Sequence, residues 1–447
     1  MNEVANFCDG DCATPPKAMQ DGLDAMRFPP YAIHNDQIDA PLHEKALAVD
    51  IRHADGTFEF DVHNVYGFTE AHATWTAMRS LENGTSERQF LLSRSTSPGI
   101  GRMVGHWTGD NWSRWDHLAL SIPGVLNFQL FGIPYVGADI CGFIEDTTEE
   151  LCARWMALGA FYPFSRNHNT AGAAPQEPYL WPTVAEASRK ALRVRYELLN
   201  YYYTLFWYAH TRGSPVLRAL FFDHLDLPGL LHTEHQFMVG SAVMIAPVLL
   251  PSQTQVNVTF PPGRWYDYYT LRAMQDVPRD QIAFASIAAP LEHISVFLRG
   301  GHIVIAQYAA MTVTATRTNA FFLIVALDED ANASGDVYLD NGVSSDPSRP
   351  ETYIRYLLTH ENEKGPTHPR HFTLRVDPHR STFDYRAIPR LDAIHIIGLP
   401  GAASAVHLDG QAHHIADSFY PKQSHRLSIS GIALDMNKEW TLTFDVI

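Results

Sequence analysis

Residues 1–217 read as an α/β region, and the rest of the 447-residue chain reads as all-β. In the first part, short apolar runs alternate with helical stretches across short connections, the pattern of strand–loop–helix units. Beyond residue 217 the helical periodicity disappears. Short strands then recur between Gly, Pro, Asn and Asp turn signals. The length suffices for roughly two or three domains with a sizeable core. On this pattern the first region is open between a closed barrel and a doubly wound sheet, and the second reads as β-sandwich.

Taken in order, FLLSRS (90–95) and IPYVGADICGF (133–143) are apolar runs entering polar, Gly-rich loops, as buried strands do. TTEELCARWMALGAF (147–161) places Leu151, Trp155, Met156 and Leu158 near the helical period. Thr148 and the Glu149–Glu150 pair suit its first turn. Thr183-x-x-Glu186 has the form of a capping box. The pattern predicts one helix from there to Gly213, a suitable C-terminal stop. Afterwards QVNVTF, ISVFLRGG, FFLIVALDED, GDVYLDNGVSS, FTLRV, AIHIIGLP and WTLTFDVI read as strands. Pro261-Pro262-Gly263 and Asp340-Asn341-Gly342 punctuate them as turns. EDANASGD (329–336) is expected at a hairpin tip.

The net charge of −16 argues against nucleic acid and anionic membranes as partners. No stretch reaches the ~18 apolar residues that span a bilayer, and the first twenty residues are too polar for a secretory signal. Aromatic residues make up 12%, which suits both sugar binding and a large β-rich core. Four cysteines form two close pairs, Cys8/Cys12 and Cys141/Cys152. Short disulfide loops in an oxidising compartment are expected, with a zinc site as the competing reading. Sequons at Asn83, Asn111, Asn257 and Asn332 agree with a secretory route.

SRSTSPGIGRMVGHWTGDNWSRW (93–115) gathers Arg94, Arg102, His106, Trp107 and Asp110 in a Gly-rich loop after a buried strand. Loops at the C-terminal ends of barrel strands carry chemistry. Asp110 lies between Trp107 and Trp112, and an apolar setting favours a protonated, acid-donating carboxyl. The competing reading is that Asp110 caps the helix that follows. FSRNHNT (164–170) supplies a second polar cluster. There His168 is either a ligand for a hydroxyl or a structural histidine.

Together MNEVANFC, SRSTxPGxGRxxGHWTGDN, YVGADICGF and LGAFYPFSRNHN resemble glycoside hydrolase family 31. Within it they are similar to secreted or lysosomal α-glucosidases of the maltase-glucoamylase, sucrase-isomaltase, acid α-glucosidase and fungal maltase type. The likeness continues through SAVMIAPVLLP, WYDYYT, SVFLRGG and DVYLDNG. It implies the second half of a (β/α)8 barrel over 1–217, a proximal β-sandwich over 218–312 and a distal one over 313–447. It also implies a retaining glycosidase with two carboxylates ~5–5.5 Å apart.

By that resemblance Asp110 is the acid/base, and Glu3 supports the nucleophile. Arg94 and His168 bind hydroxyls of the terminal glucose, and Trp107, Phe143 and Met1 line its subsite. Cys141–Cys152 is a family disulfide, and Cys8 with Cys12 belongs to an FCxGxC loop. Ser97 replaces a usual aromatic, and Asn200 replaces a usual proline. No metal or organic cofactor is implied. The expected partner is an α-1,4-linked, maltose-type substrate, and the expected compartment is extracellular, lysosomal or vacuolar.

The family nucleophile is the aspartate of Trp-x-Asp-Met-Asn-Glu, and Met1 aligns with the methionine after it. The resemblance therefore places the nucleophile one residue before Met1. It predicts that the 447-residue chain alone hydrolyses no α-glucoside. The competing readings are a half that assembles with an N-terminal partner, a sugar-binding pseudoenzyme, and a carbohydrate-binding module in 218–447.

Overall fold

A computed structural model describes residues 2–4, 24–30, 42, 45–81, 86–345, 350–362, 370–382, 388–412 and 425–446. Met1, Cys8, Cys12 and Asn83 lie outside the described residues. The chain divides into two compact units, residues 1–107 and 108–447.

The first unit contains helix α1 (Glu59–Ser80), with Glu59 and Asp61 in its first turn and Arg79 in its last. These charges oppose the ends of the helix dipole. Glu59 is fully buried, and its carboxylate is 2.8 Å from both His53 Nε2 and His63 Nδ1. Two partners offset the desolvation that a buried carboxylate would otherwise suffer. Two short strands, β1 (Leu92–Ser93) and β2 (Gly105–Trp107), pair in parallel. The strand expected over 90–95 is thus reduced to its centre.

In the second unit, helix α2 (Trp115–Leu130) is followed by β3 (Val136–Gly137) and β4 (Asp139–Ile140). Helix α3 (Glu149–Gly159) then leads to β5 (Arg166–Asn167), which runs parallel to β4. This β–α–β unit needs a crossover helix because parallel neighbours cannot be joined by a tight turn. Thr148 caps α3 as expected, its side chain accepting from Leu151 N at 3.3 Å.

The single helix expected up to Gly213 is two, α4 (Pro182–Glu197) and α5 (Leu199–Arg212), broken at Leu198. The capping box does not form. Pro182 occupies the first helical position, so Thr183 lies inside the helix, and its hydroxyl donates to Glu149 instead. Gly213 does end α5, at φ 68°, where a side chain would be strained. Asn200 falls in the first turn of α5, where proline is tolerated. Its amide donates to Gln307 Oε1 at 2.6 Å.

The β-rich part follows from β6 (Leu217–Arg218), β7 (Phe237–Val239), β8 (Val243–Ala246), β9 (Gln255–Phe260) and β10 (Gly263–Asp267). It continues through β11 (Ala273–Val277), β12 (Ala283–Ala288) and β13 (Ser295–Arg299). Six of these form a sheet in the order β11-β10-β13-β8-β7-β6, and β9 pairs with β12. Trp265, Phe260 and Phe297 fill the core there.

Strand β14 (Gly301–Gln307) opens a ten-stranded sheet with β15 (Phe321–Ala326), β16 (Ala333–Asp340), β17 (Glu351–Asn362) and β18 (Arg370–Ser381). Its central order is β18-β17-β16-β14-β15. EDANASGD is therefore not a hairpin tip: β15 and β16 are separated by β14, so the segment carries the chain past one strand. Asp340-Asn341-Gly342 is a turn as expected, with Gly342 N donating to Asp340 Oδ1 at 2.7 Å.

A buried arginine joins α3 to the β region. Arg154 is 4% exposed, and its guanidinium donates to the carbonyls of Gln253 (2.7 Å), Pro290 (2.9 Å), Ala289 (3.0 Å) and His293 (3.3 Å). Backbone dipoles here do the work of a counter-ion.

Candidate active site

Each unit carries part of the expected site. In the first, Glu3 and Arg94 form a two-pronged ion pair, with Arg94 Nε donating to Oε1 at 2.6 Å and Nη2 to Oε2. The hydrogen bonds and charge of Arg94 hold the Glu3 carboxyl below its ordinary range. His106 is buried, and its Nδ1 donates to Ser93 O at 2.9 Å. Burial keeps it below the usual histidine range, hence uncharged near neutrality. A cavity of about 340 Å³ borders Glu3, lined also by Asn2, Lys45, His63, Tyr66 and Ser95. Trp107 ends β2 and is half-buried.

In the second unit the chemistry sits where β4 and β5 end. Asp139 is opposite Arg166 in the parallel register, and Arg166 Nε donates to Asp139 Oδ1 at 3.0 Å. Burial lifts the Asp139 carboxyl, the negative charge of Asp110 lifts it further, and Arg166 and His168 oppose both. Asp110 is exposed and close enough for its charge to register on Asp139. It does not cap α2, whose N-terminal cap is Arg114. The capping reading of Asp110 therefore fails, and its carboxylate stands on a loop beside a second carboxylate.

Beyond β4 the chain turns sharply through Cys141 (φ 74°) and Gly142 (φ 92°). A β-carbon at Gly142 would collide with the backbone of Ser113, so only glycine fits. Cys141 is disulfide-bonded to Cys152 on α3, which overturns the zinc reading for this pair. The turn delivers Phe143 N to both the backbone and side-chain oxygens of Asn111, at 2.9 and 3.2 Å. Asn111 also donates to Asp139 O at 2.9 Å. Its side chain is thus committed internally, which argues against this sequon as a glycan acceptor. The rings of Phe143 and His168 pack at a 38° tilt with their centres 5.3 Å apart.

The structure thus brings Glu3 to Arg94 in one unit and groups Asp110, Phe143 and His168 in the other. Asp139 and Arg166 were missed from sequence, although both lie inside the quoted YVGADICGF and SRNHN strings. The signal was their pairing as the first rung of the parallel strands β4 and β5.

The Glycosyl hydrolases family 31 TIM-barrel domain matches residues 1–205, and the family's C-terminal domain matches residues 213–304. The chain belongs to glycoside hydrolase family 31. It is 42% identical to the alpha-glucosidase of Hordeum vulgare, over 82% of this chain and 40% of that protein. It is 40% identical to the alpha-glucosidase of Aspergillus niger, over 92% of this chain and 40% of that protein. It is similar to the crystal structure of a glucosidase II alpha subunit bound to alpha3-Glc2, with a TM-score of 0.79 and 28% identity. That match covers 90% of this chain and 44% of the other. The chain spans about two fifths of the length of the curated relatives it matches. No described helix is long and apolar enough to cross a membrane.

Proposed function

We propose that Asp110 is the acid/base of a retaining α-glucosidase that removes terminal, non-reducing α-1,4-linked glucose from maltose-type oligosaccharides. The observation that carries this reading is the placement of Asp110, Asp139, Arg166, His168 and the Phe143 face at the ends of β4 and β5 and the preceding loop. Sugar recognition needs this mixture: charged groups for hydroxyls and an apolar wall for the ring. In the first step Asp110 protonates the glycosidic oxygen as a carboxylate attacks the anomeric carbon. In the second, Asp110 takes a proton from the water that releases glucose. The attacking carboxylate is, by the family resemblance, the aspartate of the Trp-x-Asp-Met-Asn-Glu motif, with Glu3 supporting it and Arg94, the hydroxyl-binding residue of that resemblance, holding Glu3 in place. His168 and Arg166 bind hydroxyls of the terminal glucose. The barrel region is read as 1–217, with sandwiches over 218–312 and 313–447 and a secretory destination.

The test is hydrolysis of an aryl α-glucoside by the protein isolated from its source cells. The Asp110→Asn change, made in its own gene, is expected to lower kcat by about 10²–10⁴-fold, the usual range for losing a general acid. Undiminished turnover in that variant would remove Asp110 from the role. Saturable maltose binding without turnover in the unaltered protein would favour the pseudoenzyme reading.

A further inference from the structure

We propose that Gln176 is a positioning residue that sets the geometry of the sugar-facing loop 139–143 against β5. The inference rests on the reading of this site given above. The parallel ladder between β4 and β5 ends at the pair Ile140–Asn167. Phe143 and His168 lie beyond that last rung, where the ladder gives way to a backbone bond from Thr170 N to Phe143 O at 2.9 Å. Gln176 adds side-chain bonds between that bond and the ladder. Its side chain is buried, 3% exposed, and enters from the loop that follows His168. Nε2 donates to Ile140 O at 3.2 Å, to Gly142 O at 3.2 Å and to Asn167 Oδ1 at 2.9 Å. The backbone carbonyl of Gln176 accepts from Asn167 Nδ2 at 3.1 Å. One amide thus ties the end of β4, the left-handed turn after it and the end of β5, as an added rung would.

The chemistry requires an amide. Two hydrogens serve three acceptors, so one is shared, and any acceptor placed there would face three others. A glutamate would do so with full charge in a buried site. The loop carrying Gln176 is itself pinned. Asn169 donates to Ala174 O at 2.8 Å, and Ala174 N donates to Asp146 Oδ1 at 2.7 Å. The disulfide holds Cys141 to α3, and Cys141 Sγ accepts from Asn167 Nδ2 of β5 at 3.5 Å. Gln176 extends the cross-strand restraint past that cysteine, to Gly142 O.

The test compares unaltered protein from source cells with Gln176→Glu and Gln176→Met made in its gene. The readouts are KM for an aryl α-glucoside, Kd for 1-deoxynojirimycin and the melting temperature. Misplacing contact groups by about 1 Å costs up to a hundredfold, so KM and Kd are expected to rise about ten- to a hundredfold in the folded variants. A residue with a merely structural role would lower the melting temperature and the activity per milligram. It would leave KM and Kd of the folded fraction unchanged, and that result would overturn the proposal. If Gln176→Glu does not fold, Gln176→Met, similar in shape and uncharged, carries the comparison. Failure of both to fold would also overturn it, by making Gln176 a determinant of the fold. Unaltered protein that binds the iminosugar without cleaving the glucoside would end the hydrolytic reading, and the Kd comparison would still decide Gln176. Unaltered protein that does neither would end both.

Discussion

Residues 139–176 and residues 301–446 are both built around β-strands, yet different forces hold them. The first stretch has strands two residues long. It relies on side chains bonded to backbone: Asn111, Asn169, Gln176 and the ion pair of Asp139 with Arg166. The second has strands up to twelve residues long over an apolar core. There Phe372 and Phe444 stack at 5.0 Å, both fully buried. Polar restraints are directional, so losing one moves neighbouring atoms. Apolar burial is non-directional, so losing part of it lowers stability with little displacement.

The sharpest way to break this contrast is Phe372→Ala. It removes one ring of the stacked pair and leaves a cavity, which costs about 3–5 kcal/mol in a well-packed core. Denaturant unfolding should show that loss in the sheet, with iminosugar affinity unchanged. A large drop in affinity would show that the two regions are not energetically separate.

Arg154→Met tests the boundary between the two kinds of construction. The arginine bonds four carbonyls and has no carboxylate partner among its hydrogen bonds. Burial lowers its own proton affinity. Methionine keeps the apolar stem and strands the carbonyls. Charged hydrogen bonds contribute about 1.5–3 kcal/mol each, but the desolvation of the guanidinium is also relieved. The expected net loss is therefore roughly 3 kcal/mol, read as a shifted denaturation midpoint. No shift would mean that burial of the charge cancels all four bonds.

This contrast also explains what was legible in the sequence. The strands of the β region announce themselves because alternation and turn residues act locally. QVNVTF is β9 as read, and Asp340-Asn341-Gly342 is the turn it resembles. The α3 start was legible for the same reason, since a cap is a contact over three residues. Helix α1 was not legible, because its apolar residues do not line one face; its Glu59 is satisfied by histidines flanking it. The break at Leu198 sits inside an unbroken periodic run, and the β15–β16 crossover depends on which strands pair far along the chain. Asp139, Arg166 and Gln176 were invisible as a group because their meaning lies in parallel register. Asp110, Phe143 and His168 were legible through the family resemblance, not through periodicity.

The smallest effect concerns Glu3 and Arg94 in the first unit. Their pairing lowers the proton affinity of Glu3 from its ordinary value of 4.5. A carboxylate with a depressed folded value contributes stability that is fully present above the unfolded value. That contribution is lost as pH falls through the folded value. The segment holding Glu3 should therefore loosen as pH drops below about 4.5 and be indifferent to pH above it. Both side chains are partly exposed, so salt should screen the effect. The Ser95 amide reports on it directly, since it donates to Asn2 Oδ1 at 2.9 Å, one residue from Glu3. Its hydrogen-exchange protection should fall on acidification in the unaltered protein. In Arg94→Gln it should be lower at neutral pH and change little with acid. Equal acid dependence in both proteins would show that the arginine does not hold Glu3 in place, and the support assigned to that pair would have to come from elsewhere in the unit.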